Sequence, residues 1–147
     1  YSKLFYLNFC PGFYNNTFDH SIFDQWIKEF KELIVKYDIK KDSFRYLGKM
    51  FAFSLPDSDG IIPVVSIRKF IEEENDEELN REFFIAVLNK RGVFTPDQGV
   101  SERALANRFL EMSNILKENY PVCSKIYKWI SDDYFGKSEF ERKIDEL

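Results

Sequence analysis

Ser21 to Tyr37 reads SIFDQWIKEFKELIVKY. Phe23, Trp26, Ile27, Phe30, Leu33, Ile34 and Tyr37 fall at steps of three and four, the spacing that places side chains on one face of an α-helix. Lys28, Glu29, Lys31, Glu32 and Lys36 fill the opposite face, where Lys28–Glu32 and Glu32–Lys36 are neighbours one turn apart. A helix beginning near Asp19 or Ser21 follows from this pattern, and its period sets the reading of the rest of the chain.

The same period recurs five more times. Asp42 or Ser43 is placed to cap a second helix carrying Leu47, Met50, Phe51 and Ser54, which must stop before Pro56. Pro56-Asp57-Ser58-Asp59-Gly60 is a turn by composition. Pro63 is suited to the first position of a third helix, with Val64, Ile67, Phe70 and Ile71 inward. Asn75 and Glu78 match a capping box, so a fourth helix is expected from Asp76 to Lys90, with Leu79, Phe83, Val87 and Leu88 inward and Gly92 as its stop. Ser101 is the expected cap of a fifth helix built on Leu105, Phe109, Met112, Leu116 and Tyr120. Beyond Pro121, Val122, Ile126, Trp129, Ile130 and Asp133 predict a sixth, which Gly136 interrupts. Short connections favour antiparallel neighbours. The expected fold is therefore all-α: about six helices packed as antiparallel hairpins, in an orthogonal or solenoid-like bundle.

With 147 residues the chain suits one domain, 1–147, large enough to bury a core without a metal or disulfide staple. It begins at Tyr1, which leaves a fragment of a longer chain as an equal expectation. Its 16 Phe and 8 Tyr against 6 Gly supply core material and few turn residues. A net charge of −4 argues against a nucleic-acid binder, which works by neutralising phosphates. The acidic excess lies mainly in Glu72-Glu73-Glu74-Asn75-Asp76-Glu77-Glu78, read as a solvated helix end. No apolar run reaches bilayer length, and the N-terminal stretch lacks a basic leader and a cleavage site, so neither membrane nor export is expected. Cys10 and Cys123 lie far apart and read as free thiols of a reducing cytoplasm.

Chemistry is scarce. His20 is the single histidine, which leaves triads and histidine metal sites little to draw on, and it reads as a helix-start residue. Asp57-Ser58-Asp59-Gly60 resembles the start of a calcium loop. With Gly60 at the sixth position, however, Leu55 and Ser66 stand where the first and twelfth ligands belong. No glycine-rich phosphate loop exists. No metal and no cofactor are therefore expected. Among carboxylates, Asp132 and Asp133 are the acid–base candidates, because one of them borders the apolar stripe beside Tyr134. Arg91 ends the fourth helix, where a cation offsets the helix dipole, and with Arg103 or Arg108 it is also suited to an anion or partner contact. Phe44, Tyr46, Phe53, Phe84, Phe94 and Tyr127 lie off the stripes, and such aromatics on one face would mark a partner surface.

Two strings carry a resemblance. Leu47-Gly48, Leu55 to Pro63 and Ile67-Arg68-Lys69-Phe70-Ile71-Glu72 form the first. Asn89-Lys90-Arg91-Gly92-Val93, Ser101 to Ala106, Pro121 and Ser131-Asp132-Asp133-Tyr134 form the second. Over residues 26–135 the chain resembles a helical module found in the C-terminal parts of large bacterial proteins. Gly99-Val100-Ser101-Glu102 departs from the paired glycines that this module carries there. The resemblance implies an accessory domain with no established activity, so it assigns no catalytic residue. The expected function is a non-catalytic interaction or scaffolding module, holding another protein, the rest of its own chain or a second copy, with Phe84, Arg91, Phe94 and Tyr127 at the contact. The alternatives are a carboxylate enzyme using Asp132 and Asp133 with Arg91 or Tyr134, and a small-ligand pocket between hairpins.

Overall fold

The computed structural model describes residues 10–91 and 97–146, without the side chain of Asp145. Its helices among the described residues are α1 (His20–Tyr37), α2 (Lys40–Phe51), α3 (Val65–Glu74), α4 (Glu77–Asn89), α5 (Val100–Leu116) and α6 (Pro121–Asp145). A small antiparallel pair, β1 (Phe13–Tyr14) and β2 (Thr17–Phe18), precedes them, with Phe13 opposite Phe18. The fold is all-α, as the periodicity requires. The chain divides into two compact units, Tyr1–Ala86 and Val87–Leu147.

In the first unit, Asp19 caps α1 by accepting from the Ile22 N–H at 3.1 Å. Asp38 ends that helix in the left-handed conformation, and only Asp38 and Ile39 separate it from α2. The second helix thus begins before Asp42 and Ser43, without a side-chain cap. Phe23, Leu47, Phe51, Ile67, Phe70, Ile71, Leu79 and Phe83 form the core. Edge-to-face rings link Phe23 to Phe51, Phe51 to Phe70, and Phe70 to Phe44. Gly48 lets α2 lie close to α4, since a Cβ there would meet the Leu79 carbonyl at 2.6 Å.

Two caps differ from expectation. Pro63 precedes α3 rather than opening it, because its carbonyl is taken by Arg68 Nε at 2.7 Å in the turn before the helix. Asn75 closes α3 with a positive φ, so the cap of α4 falls to Asp76, which accepts from the Leu79 N–H at 3.0 Å. The acidic run joining these helices is ion-paired: Glu74 with Lys31, Asp76 with Lys40, and Glu78 with Arg45 and Arg81.

Arg68 organises the loop before α3. Its guanidinium is buried, binds both carboxylate oxygens of Asp59 at 2.7 and 2.8 Å, and donates to the Ile61 carbonyl at 2.6 Å. Asp57 accepts from the Val65 N–H at 2.9 Å. The sequence Asp57–Gly60 is thus a turn held by an internal cation.

The second unit is an antiparallel hairpin of α5 and α6. Its seam is built from small residues seven apart on each helix. Ser124 Oγ donates to the Ser113 carbonyl at 2.7 Å, Ser131 Oγ to Ala106 at 2.7 Å, and Ser138 Oγ to Gly99 at 3.1 Å. Phe109 stacks between Tyr127 and Tyr134, with centroids 5.8 and 5.7 Å away. The expected break at Gly136 is absent: α6 runs through it, because a solvent-facing glycine weakens a helix without stopping it. Ser101 lies inside α5 instead of capping it. Gly99 holds the cap position with φ +81°, and Asp97 accepts from the Ser101 N–H.

Candidate functional site

The residues with the most chemical potential gather where α5 begins and α6 approaches its end. Arg91 lies just past α4, and its guanidinium rests over the Tyr134 ring at 5.7 Å. It also donates to Glu102 Oε1 at 2.5 Å. Glu102 stands in the first turn of α5 and is 0% exposed. Its second oxygen, Oε2, is buried without a hydrogen-bond partner.

Two further carboxylates join it. Asp97 lies before α5 and accepts from both the N–H and the hydroxyl of Ser101. The Ser101 hydroxyl first, and its N–H second, hold the Asp97 carboxyl below the usual range, against a smaller opposing effect of burial. Glu141 reaches back from α6 and accepts the Gly99 N–H on Oε2 at 2.8 Å. One carboxylate oxygen from each of Asp97, Glu102 and Glu141 lies within 4.8 Å of the others. Arg103 binds Ser138 Oγ at 3.2 Å on the same stretch of the hairpin. Burial raises the Tyr134 hydroxyl above its ordinary value, although Lys137 and Arg91 pull it down.

Arg91 and Tyr134, named from the sequence, are thus brought together. Asp132 and Asp133 are not part of this cluster: Asp132 is exposed and paired with Lys128, and Asp133 pairs with Lys137 at 2.8 Å. Tyr127 is core, 1% exposed, while Trp129, expected inside, is 40% exposed. Phe44 is buried, Tyr46, Phe53 and Phe84 are half-buried, and Phe94 falls outside the described residues. None of the described off-stripe aromatics is therefore an exposed side chain. The histidine meets another helix start, with His20 Nδ1 and Ser66 Oγ 2.5 Å apart on the exposed surface.

Apolar spacing along α5 does not single out Glu102, because a carboxylate breaks the apolar pattern of the face it occupies. Glu102 belongs to the row Glu102, Ala106, Phe109, Ser113 and Leu116, all of them buried except the half-buried Phe109.

A second surface lies on α1. Its core contacts are Phe23, Ile27 and Ile34. Beside that row run Ile22, Trp26, Phe30, Leu33 and Tyr37, again at steps of four and three. Ile22, Leu33 and Tyr37 are 56, 48 and 60% exposed, and Trp26 stacks on Phe30 with centroids 4.8 Å apart. The expectation that Leu33 and Tyr37 point inward is thereby corrected: the apolar face of α1 is wider than the core it covers.

No protein family matches the chain, and neither a curated protein nor a solved structure shows significant similarity to it. Among the described residues no helix is long and apolar enough to cross a membrane.

Proposed function

We propose that this chain is a non-catalytic interaction module that pairs with a second copy of itself through α1, as an accessory part of a longer bacterial protein. The observation that carries the reading is the row Ile22, Trp26, Phe30, Leu33 and Tyr37 standing beside the buried face of the same helix. Large aromatic side chains in such a row are the residues that dominate binding energy when an interface closes over them.

The row's charged border favours a second copy as occupant. Glu29 and Lys36 flank it two turns apart. A two-fold axis between them sets each glutamate against the other copy's lysine and brings the two Leu33 side chains to the centre, the self-complementary arrangement of an isologous dimer. Cys10 and Cys123 are buried and not joined in a disulfide, which supports a reducing, cytoplasmic setting.

Light scattering coupled to size-exclusion chromatography tests this from low to high micromolar concentration. A dimer is expected to form with concentration and to be lost in Leu33→Glu. Lys36→Glu should weaken it, and the double change Glu29→Lys with Lys36→Glu should restore it. A monomer at every concentration overturns the proposal, and so does a dimer that persists in a folded Leu33→Glu variant.

A further inference from the structure

We propose that Asp97, Glu102 and Glu141 hold a hard divalent cation, Ca2+ by the span of their oxygens, which clasps the start of α5 to the end of α6. Three features carry the proposal. The donors are carboxylates only, which suits a hard cation and disfavours zinc or copper. Their oxygens lie within 4.8 Å of one another, which is the reach of an ion making oxygen contacts of about 2.3–2.6 Å.

The third feature is Glu102 itself. A fully buried carboxylate is costly unless its oxygens are engaged. Arg91 engages Oε1, yet Oε2 remains buried with no donor. In charge, the single Arg91 contact leaves the three-carboxylate group two negative charges in excess. Arg103, the next cation on this stretch, is directed to Ser138. A cation against Oε2 would satisfy the orphaned oxygen and the charge together, with waters completing its shell.

The protein already fixes two of the donors. Ser101 orients Asp97 through its N–H and hydroxyl, and Gly99 orients Glu141 through its N–H. The site therefore joins three points of the hairpin: the approach to α5, its first turn, and α6 beyond Ser138. A bound ion would stabilise the end of the hairpin where the small-residue seam finishes at Gly99 and Ser138, since a ligand that binds only the folded state adds to its stability.

Calorimetric titration of Ca2+, and separately of Mg2+, into the full chain stripped of metal tests this, with thermal unfolding followed in parallel. Saturable one-to-one Ca2+ binding at or below about 1 mM is expected, weaker for Mg2+, together with a rise in Tm. Asp97→Asn and Glu141→Gln replace the more accessible donors and spare the buried Arg91–Glu102 pair. Each should weaken Ca2+ binding about tenfold or more, as affinity follows ligand charge. Glu139→Gln, on a carboxylate paired with Arg142 outside the cluster, should leave it unchanged. No binding up to about 10 mM, well above the weakest calcium modules, overturns the proposal. Binding that survives both Asp97→Asn and Glu141→Gln in folded protein does so equally. None of these readouts depends on self-association.

Discussion

Ser113 and Ser124 face each other across the α5–α6 hairpin and exchange hydrogen bonds: each hydroxyl donates to the other's carbonyl at 2.7 Å, and the two oxygens lie 3.0 Å apart. Both residues are buried. The contact satisfies two helix carbonyls beyond their own ladders and holds the backbones near enough that only small side chains fit between them. Ser124→Ala should lower stability by about 1–2 kcal/mol through lost hydrogen bonds, and Ser124→Leu by more through overpacking. Urea unfolding would show a decrease in midpoint for both, in that order. Equal midpoints for wild type and Ser124→Leu would mean the seam is not close-packed.

Two glycines of this unit should respond in opposite directions. Gly99 has φ +81°, and a Cβ there would meet the Ser138 carbonyl at 2.6 Å, whereas at Gly136 a Cβ meets nothing within 4 Å. Gly136→Ala should stabilise the protein by about 0.5–1 kcal/mol, because alanine is the better helix former. Gly99→Ala should destabilise it. Thermal melts of the two variants, run side by side, decide the matter by the sign of the change in Tm.

Arg68 is the most consequential single side chain of the first unit. Arg68→Met would leave the Asp59 carboxylate and the Pro63 and Ile61 carbonyls without their donor. A loss of about 1–3 kcal/mol is expected, mainly from the carbonyls that lose their donor, because Asp59 is 31% exposed and water reaches its carboxylate. Chemical denaturation showing less than a small fraction of this would indicate that water replaces the guanidinium readily.

The same pair sets an acid limit. Asp59 is held below its ordinary value of 3.8, first by the Arg68 guanidinium, with burial opposing it. A carboxyl whose folded pKa is depressed contributes its stability in full above the unfolded value and loses it as pH falls through the folded one. Wild-type stability should therefore decline on acidification below about pH 4. In Asp59→Asn that part of the decline should vanish, leaving a flatter profile. Parallel slopes for the two proteins would remove Asp59 from the account.

Cys10 is buried, and burial pushes its thiol up to about 12. Since the thiolate is the reacting species, Cys10 should resist alkylation in the folded protein and react at once on unfolding. Mass spectrometry after iodoacetamide treatment at mildly alkaline pH, with and without denaturant, reads this directly. Rapid native labelling of Cys10 would contradict its enclosure.

Helix number and kind were legible in the residues alone, because period 3.6 in apolar side chains and the spacing of prolines and caps are local properties. Phe23 and Ile27, Val64 and Ile67, and Leu79 and Phe83 all went inside as their periods required. Where two residues compete for one role, local pattern does not decide. Asn75 and Asp76 both suit a cap, and the left-handed turn that closes α3 assigns Asn75 to that helix and Asp76 to the next.

The direction in which each stripe faces was decided only by tertiary packing. Tyr127 and Trp129 are both large aromatics on α6, yet the serine seam rotates that helix so that Tyr127 meets Phe109 and Trp129 turns outward. Leu33 and Tyr37 share the apolar face of α1 with Ile34, but the core is too narrow to cover all of them. The carboxylate cluster is the extreme case. Asp97 and Glu102 stand near each other in the chain, while Glu141 arrives from the far end of the antiparallel partner helix. Sequence spacing carries the period of each helix. Only the packed hairpin carries the rotation and register that bring Glu141 to Gly99 and leave Glu102 Oε2 buried without a donor.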